Sequence, residues 1–131
     1  MNQMPLNARS LRALKGVHPD LVSVVVRAHE MAVAKGYDFI ITEGLRTLER
    51  QKVLVAKRAS ATMRSRHLTG HAVDFAPLIQ GRLTWKTPAF IPVIAHFMAA
   101  SKELKVPIES GANWTSFKDY PHIQLPWKRY P

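Results

Sequence analysis

The sequence predicts an α+β domain in which a small, mainly antiparallel sheet packs with about three helices. Three observations carry that expectation. Helix punctuation is clear in three places, the strand signals are short, and the two do not alternate in the regular βαβ order that a parallel sheet requires. With 131 residues and 47% hydrophobic content, the chain is long enough to bury one core without staples. A single domain spanning residues 1–131 is therefore expected.

The first helix is predicted to start at Pro19, a residue suited to the first helical position, and to end before Gly36. Leu21, Val24, Val25, Ala28, Met31 and Ala32 recur along it at helical spacing. A strand follows over Tyr37 to Glu43, where β-branched and aromatic residues run up to Gly44. Thr47 is placed to cap a second helix with Leu48, Val53 (or Leu54) and Ala56 as its apolar stripe. Ala72 to Ala76 alternates as a strand, with Ala72, Asp74 and Ala76 on one face and Val73 and Phe75 on the other. Thr87 and Pro88 open a third helix carrying Phe90, Ile94, Phe97, Met98, Ser101 and Leu104 on one side, and Pro92 falls early enough to be tolerated. Ile108 to Ala112 and Ile123 to Leu125 supply two more short strands.

Composition removes several function classes. With no cysteine, disulfide scaffolds, Cys-based zinc fingers, iron–sulfur sites and thiol catalysis are excluded. The sequence lacks Ser-x-x-Lys, Gly-x-Ser-x-Gly, His-Glu-x-x-His and a phosphate-cradling glycine loop. The amino-terminal stretch from Met1 to Gly16 mixes polar and basic residues with isolated apolar ones, unlike a secretory signal. The apolar stretch Leu21 to Val26, which contains Ser23, is far too short to span a bilayer. A formal net charge of +10 points to a polyanionic partner: nucleic acid, an anionic membrane or an envelope polymer.

Chemistry concentrates in Ser65-Arg66-His67-Leu68-Thr69-Gly70-His71-Ala72-Val73-Asp74. His67 precedes a strand carboxylate, Asp74, which has only small neighbours on its face, leaving open space beside it, and which needs a partner there. Zinc fits, because a catalytic zinc takes three N/O protein ligands and keeps one position open. Asp119-Tyr120-Pro121-His122-Ile123-Gln124-Leu125 offers the third ligand, with His122 and Gln124 on one face of a strand and Ile123 and Leu125 on the other. Pro121 makes a bend credible that would bring Asp119 and His122 to one centre.

These segments, Ser-x-His-x-x-Gly-x-Ala-x-Asp and the late Asp-x-x-His, resemble the zinc peptidases that cut peptidoglycan stem peptides. That family contains D-alanyl-D-alanine carboxypeptidases, dipeptidases and the L-alanyl-D-glutamate endopeptidases of phage endolysins. Gly44-Leu45-Arg46-Thr47 with Gln51 is similar to the family's arginine segment, and Gly111-Ala112-Asn113-Trp114 looks most like the phage endopeptidases. The resemblance runs from about Tyr37 to Leu125 and implies the Hedgehog/DD-peptidase fold. It implies zinc ligands at His67, Asp74 and His122, a general base at Asp119 where other members carry Glu, and an oxyanion-stabilising Arg46. Ser65, Gln51 and Trp114 are expected in the substrate cleft or behind the ligands, and Trp114 is equally readable as core filler.

The remaining histidines have duller readings. His71 falls at a variable motif position, and His18, His29 and His96 lie on or before helices without a catalytic part. Arg46, Arg50, Lys52, Lys57, Arg58, Arg64 and Arg66 form a basic cluster that reads for most of its members as a solvated helix face, the plain alternative for Arg46 as well.

The function expected is that of a phage endolysin, a zinc-dependent L-alanyl-D-glutamate endopeptidase of peptidoglycan. The sequence ends nine residues after His122, with no room there for a wall-binding module, and a bare catalytic domain of this kind resembles endolysins of Gram-negative hosts. A monomer is expected, stored in the host cytoplasm and reaching periplasmic murein after holin-type release. Its basic surface suits murein and outer-membrane lipopolysaccharide. A D-alanyl-D-alanine carboxypeptidase would use the same centre. A basic nucleic-acid-binding protein, from a different class, would need aromatics interleaved with Lys and Arg, which this chain lacks.

Overall fold

The computed structural model describes residues 6–60, 62–115 and 118–131. Among these residues four α-helices, α1 (Ala8–Ala13), α2 (Pro19–Ala34), α3 (Leu48–Ala56) and α4 (Thr87–Leu104), accompany five short strands. The strands are β1 (Asp38–Glu43), β2 (Ala72–Ile79), β3 (Arg82–Leu83), β4 (Glu109–Ser110) and β5 (His122–Gln124), with 3-10 turns at Arg66–Thr69 and Gly111–Asn113. All pairings are antiparallel, in the order β1-β2-β5-β4, with β3 also paired to β2. The predicted α+β architecture is the observed one.

Alternation along β2 builds the core. Val73 and Phe75 face inward with Ile123 of β5 and Phe39 and Ile41 of β1, and all are at most 1% exposed. Helices α2 and α4 pack against each other and against this face. Phe75 lies 5.3 Å from Phe90 and 5.1 Å from Phe97 between ring centroids, and Phe39 lies 5.1 Å from Phe97. Each such ring contributes about 1.5–3 kcal/mol on leaving water. As expected, α2 starts at Pro19 and buries Leu21, Val24, Val25, Ala28 and Ala32. His18 caps it, its Nδ1 accepting from the Asp20 N–H.

Elsewhere the structure corrects the sequence reading. Helix α1, read only as a polar amino-terminal stretch, is capped by Asn7 and packs on β1, where the buried Ser10 hydroxyl accepts from the Ile41 N–H (2.9 Å). Thr47 caps α3 as predicted, but Leu48 and Val53 are exposed and the helix buries Gln51 instead. On α4 the buried face is Phe90, Val93, Phe97 and Ala100, whereas Met98 and Leu104 are exposed. A period of 3.6 allows either the 93/100 or the 94/101 choice, and tertiary packing selects the first. The predicted strand over Ile108 to Ala112 shortens to β4 because the chain turns at Gly111. Strand β5 begins and ends one residue earlier than expected, while β2 runs on to Ile79 into a hairpin with β3 that the sequence reading left out.

Candidate metal centre and cleft

Register places the site. Asp74 on β2 stands opposite His122 on β5 and opposite Glu43 on β1, so these three side chains form a row across one face of the sheet. The opposite face of the same strands is the apolar core, so the row is carried on a rigid support. Ala72 and Ala76, expected to leave open space beside Asp74, are themselves fully buried. The space lies in front of the carboxylate instead, in a cleft of about 660 Å³.

His67 reaches this row from the turn preceding β2. Ser65 caps that turn, its hydroxyl accepting from the His67 N–H at 3.2 Å, and Gly70 closes it in the left-handed conformation at φ 75°. A side chain at Gly70 would also collide with the Gly16 carbonyl, 2.3 Å from the position of a Cβ. One Asp74 oxygen, Oδ1, lies 3.2 Å from His67 Nε2 and 3.4 Å from His122 Nδ1. One donor atom from each residue falls within 4.8 Å of the others. Ligand atoms at about 2.0–2.2 Å from one tetrahedral ion are separated by roughly 3.3 Å.

The outer hydrogen bonds fit this donor set to a metal. His67 Nδ1 donates to the Gly44 carbonyl (2.8 Å), which leaves the Nε2 lone pair directed at the centre. His122 Nε2 donates to Gln124 Oε1 (2.7 Å), while Gln124 Nε2 donates to Glu109 Oε1 (3.0 Å). Because a carboxylate only accepts, Glu109 sets the Gln124 amide, and that amide in turn sets the His122 tautomer with Nδ1 toward the centre. Two imidazoles and a carboxylate form an N2O set with a position left for substrate, the pattern of catalytic zinc. His67, Asp74 and His122 are thus positioned to bind a single ion.

Charge in the site follows the same contacts. Burial disfavours ionised Asp74, but hydrogen bonds from His122 and His67 outweigh it and hold the carboxyl far below its usual range. Burial alone would lower His122, yet the hydrogen bond and charge of Asp74, with help from Gln124 and Asp119, raise it. Asp119 sits before β5, with Oδ2 4.0 Å from His122 Nδ1. Burial and the charge of Asp74 push its pKa up, partly countered by His122, His67 and Arg46. Its backbone approaches Gly111 so closely that a Cβ there would lie 2.3 Å from the Asp119 carbonyl oxygen.

Arg46 is buried at the cleft wall. Its Nη2 pairs with Glu43 and lies 3.7 Å from Asp74 Oδ2, its Nη1 donates to Gln51 Oε1 (2.7 Å), and its Nε has no partner among the described residues. Gln51, expected in the substrate cleft or behind the ligands, is fully buried behind Arg46, where its Nε2 donates to Ser60 Oγ (2.9 Å) and to the Thr62 carbonyl. Trp114 is cleft wall rather than core, its ring 4.9 Å from that of His122. Ser65 lines the cleft as well as capping the turn.

Of the basic cluster, Arg66 is not solvated but 3% exposed, bonded to the carbonyls of Leu125 and Tyr130. His18, His29, His71 and His96 stand apart from the metal cluster. Sequence reasoning missed Glu43 and Glu109, whose roles come from cross-strand register. The alternation of Gln124 with His122 was the one signal pointing to the amide.

Residues 3–125 match the family described as phage L-alanyl-D-glutamate peptidase. This chain belongs to that family. Among relatives of the phage peptidase family, the L-alanyl-D-glutamate peptidase of Escherichia phage T5 is 37% identical over 115 residues, covering 85% of this chain and 82% of that protein. The L-alanyl-D-glutamate peptidase of Listeria phage A118 is 31% identical, and the match covers 94% of this chain but 43% of that longer protein. The crystal structure of ChiX, an L-Ala D-Glu endopeptidase of Serratia marcescens, superposes with a TM-score of 0.90 at 38% identity, over 99% of this chain and 96% of that one. The α+β fold of the family member described here is therefore that of a solved endopeptidase.

Proposed function

We propose that this chain is a zinc-dependent endopeptidase that hydrolyses the L-alanyl-D-glutamate bond of peptidoglycan stem peptides as a phage endolysin, residues 1–131 acting as one domain. The observation that carries the reading is the convergence of His67, Asp74 and His122 in an open cleft of a chain belonging to this family. When bound there, zinc supplies Lewis acidity, bringing the pKa of water to about 7 and polarising a carbonyl oxygen.

The chain's own groups supply the rest. Asp119 accepts the proton of the attacking water and returns it to the leaving amine, and the upward shift of its pKa suits it to both transfers. Arg46, fixed by Glu43 and Gln51, presents its charge to the carbonyl oxygen as that oxygen becomes anionic, an interaction commonly worth about 3–4 kcal/mol. Trp114 and Ser65 border the substrate.

No helix among the described residues is long and apolar enough to cross a membrane. The net charge of +10 supports electrostatic attraction to murein and outer-membrane lipopolysaccharide. The reading includes a monomer held in the host cytoplasm until holin-type release admits it to periplasmic murein. Digestion of Gram-negative sacculi in the presence of zinc, followed by mass spectrometry, tests it. Release of the stem from L-alanine is expected; loss of a single terminal D-alanine would instead identify a carboxypeptidase, and intact stems would refute the peptidase. His67→Ala is expected to lose zinc and turnover together. Asp119→Ala is expected to keep zinc while turnover falls by about 10²–10⁴.

A further inference from the structure

Once the ligands, Asp119 and Arg46 are accounted for, the cleft still contains a cationic end built from Arg64, Arg66 and Trp127. Arg66 is 3% exposed, and its Nε and Nη2 donate to the Leu125 carbonyl at 3.3 and 3.0 Å. Its guanidinium lies 4.1 Å from the centroid of the Trp127 ring. Among the described residues no carboxylate comes within ion-pair distance of it. Arg64 places its guanidinium 5.6 Å from the same ring and gives no side-chain hydrogen bond to any described residue. Glu109, which also lines the cleft, accepts from Gln124.

Both guanidinium groups lie near one indole, Arg66 buried and Arg64 exposed beside the exposed Trp127 ring, and both keep N–H groups unused among the described residues, so an arriving anion meets donors already gathered at one place. Arg64 and Arg66 also flank Ser65 on the segment that delivers His67, so this end is tied to the metal centre by the chain itself. The substrate has matching chemistry. Glutamate carries two carboxyl groups and a linear stem continues through only one, so the residue on the leaving side of an L-alanyl-D-glutamate bond retains a free carboxylate.

The geometry points to an anion subsite in which Arg64, positioned by Trp127 and backed by Arg66, binds the free carboxylate of the D-glutamyl residue on the leaving side of the scissile bond. Forked N–H donors match a carboxylate in a way that a lysine or an amide cannot reproduce. This assignment rests on the endopeptidase function proposed above.

Two synthetic stem peptides, identical except that the free glutamyl carboxylate of one is converted to an amide, test it on the zinc-loaded protein. Wild type is expected to favour the carboxylate peptide by about tenfold or more in kcat/KM, mainly through KM. Arg64→Gln is expected to erase that preference with zinc content unchanged, and Arg64→Lys to retain part of it. Titration of the metal-free protein with a D-glutamyl peptide, followed by tryptophan fluorescence, is expected to show the same weakening in Arg64→Gln. Equal cleavage of both peptides by wild type, or an equal loss on both in Arg64→Gln, would overturn the subsite while leaving the endopeptidase reading intact. Cleavage of neither peptide by wild type would overturn both.

Discussion

Gln51→Leu isolates what a fully buried amide does for the arginine in front of it. Leucine keeps most of the volume, so the perturbation is the loss of three hydrogen bonds: from Arg46 Nη1 (2.7 Å), to Ser60 Oγ (2.9 Å) and to the Thr62 carbonyl. Ser60 is only half-buried, and water can replace its partner. Arg46 cannot recover so easily. Its Nε already lacks a partner among the described residues, so the substitution strands a second nitrogen on one buried guanidinium. A hydrogen bond to a charged group contributes about 1.5–3 kcal/mol, which places the destabilisation near 2–3 kcal/mol. For a chain of this length that corresponds to a fall of roughly 10 °C in the unfolding midpoint.

Turnover should fall as well, because Arg46 then loses its neutral acceptor and only Glu43 and the more distant Asp74 fix its charge. About tenfold in kcat is expected, with KM and zinc content nearly unchanged. Thermal unfolding with saturating zinc and steady-state kinetics on a stem peptide measure both effects. Gln51→Glu, which keeps an acceptor for Arg46 but no donor for Thr62, is expected to retain more turnover than the leucine variant. A midpoint within about 2 °C of wild type together with unchanged kcat would refute the role assigned to Gln51.

Protons should compete with the metal at His122, whose pKa is raised above 6.5 because Asp74 and Gln124 outweigh burial. Zinc affinity measured by chelator competition is expected to drop as pH falls through that raised value, beginning above the ordinary imidazole range. In the metal-free protein the sign reverses: stability from the His122–Asp74 pair is complete below 6.5 and disappears as pH rises through the folded value, visible in urea midpoints. Glu109→Ala frees the Gln124 amide to rotate and should weaken zinc binding by about tenfold or more, with an altered His122 tautomer in nitrogen NMR spectra. Gly111→Ala forces a Cβ to within 2.3 Å of the Asp119 carbonyl and is expected to cut turnover while zinc stoichiometry holds.

What the sequence made legible was whatever a short segment encodes by itself. His67 and Asp74 lie in one motif, and the alternation of His122 with Ile123 announced a strand with one face on the core. Pro19 and Gly36 bracket α2 as local punctuation should. The misses share a different cause. Gln51 sits among Leu48, Val53 and Leu54, and periodicity alone favoured burying the apolar residues; the deciding fact is that Arg46, five positions back, needs an acceptor. Glu43 and Glu109 act through the residues opposite or beside them on neighbouring strands, and register is not readable from a lone strand. Arg66 looked like one charge of many until its carbonyl partners, 59 and 64 positions away, came together around it.

The arrangement also explains how loops can supply precise chemistry here. Asp74 and His122 inherit their positions from strands whose other face is locked in the core by Val73, Phe75 and Ile123. His67, Arg46 and Asp119 come from turns, and each is braced to a second segment. The Arg46 N–H donates to the His67 carbonyl (2.9 Å), His67 Nδ1 to the Gly44 carbonyl (2.8 Å), and the Asp119 N–H to the Gly111 carbonyl (2.9 Å). The β1–α3 loop and the Arg66–Thr69 turn therefore hold one another, so a change at Gly44 reaches the metal through His67 although Gly44 carries no side chain. A Cβ at Gly44 would lie 2.1 Å from the Ala13 carbonyl oxygen, tying the same loop to α1. Catalytic precision in this small chain thus arises from backbone segments packed too closely to move independently, which is why glycines at 44, 70 and 111 sit beside the site without belonging to it.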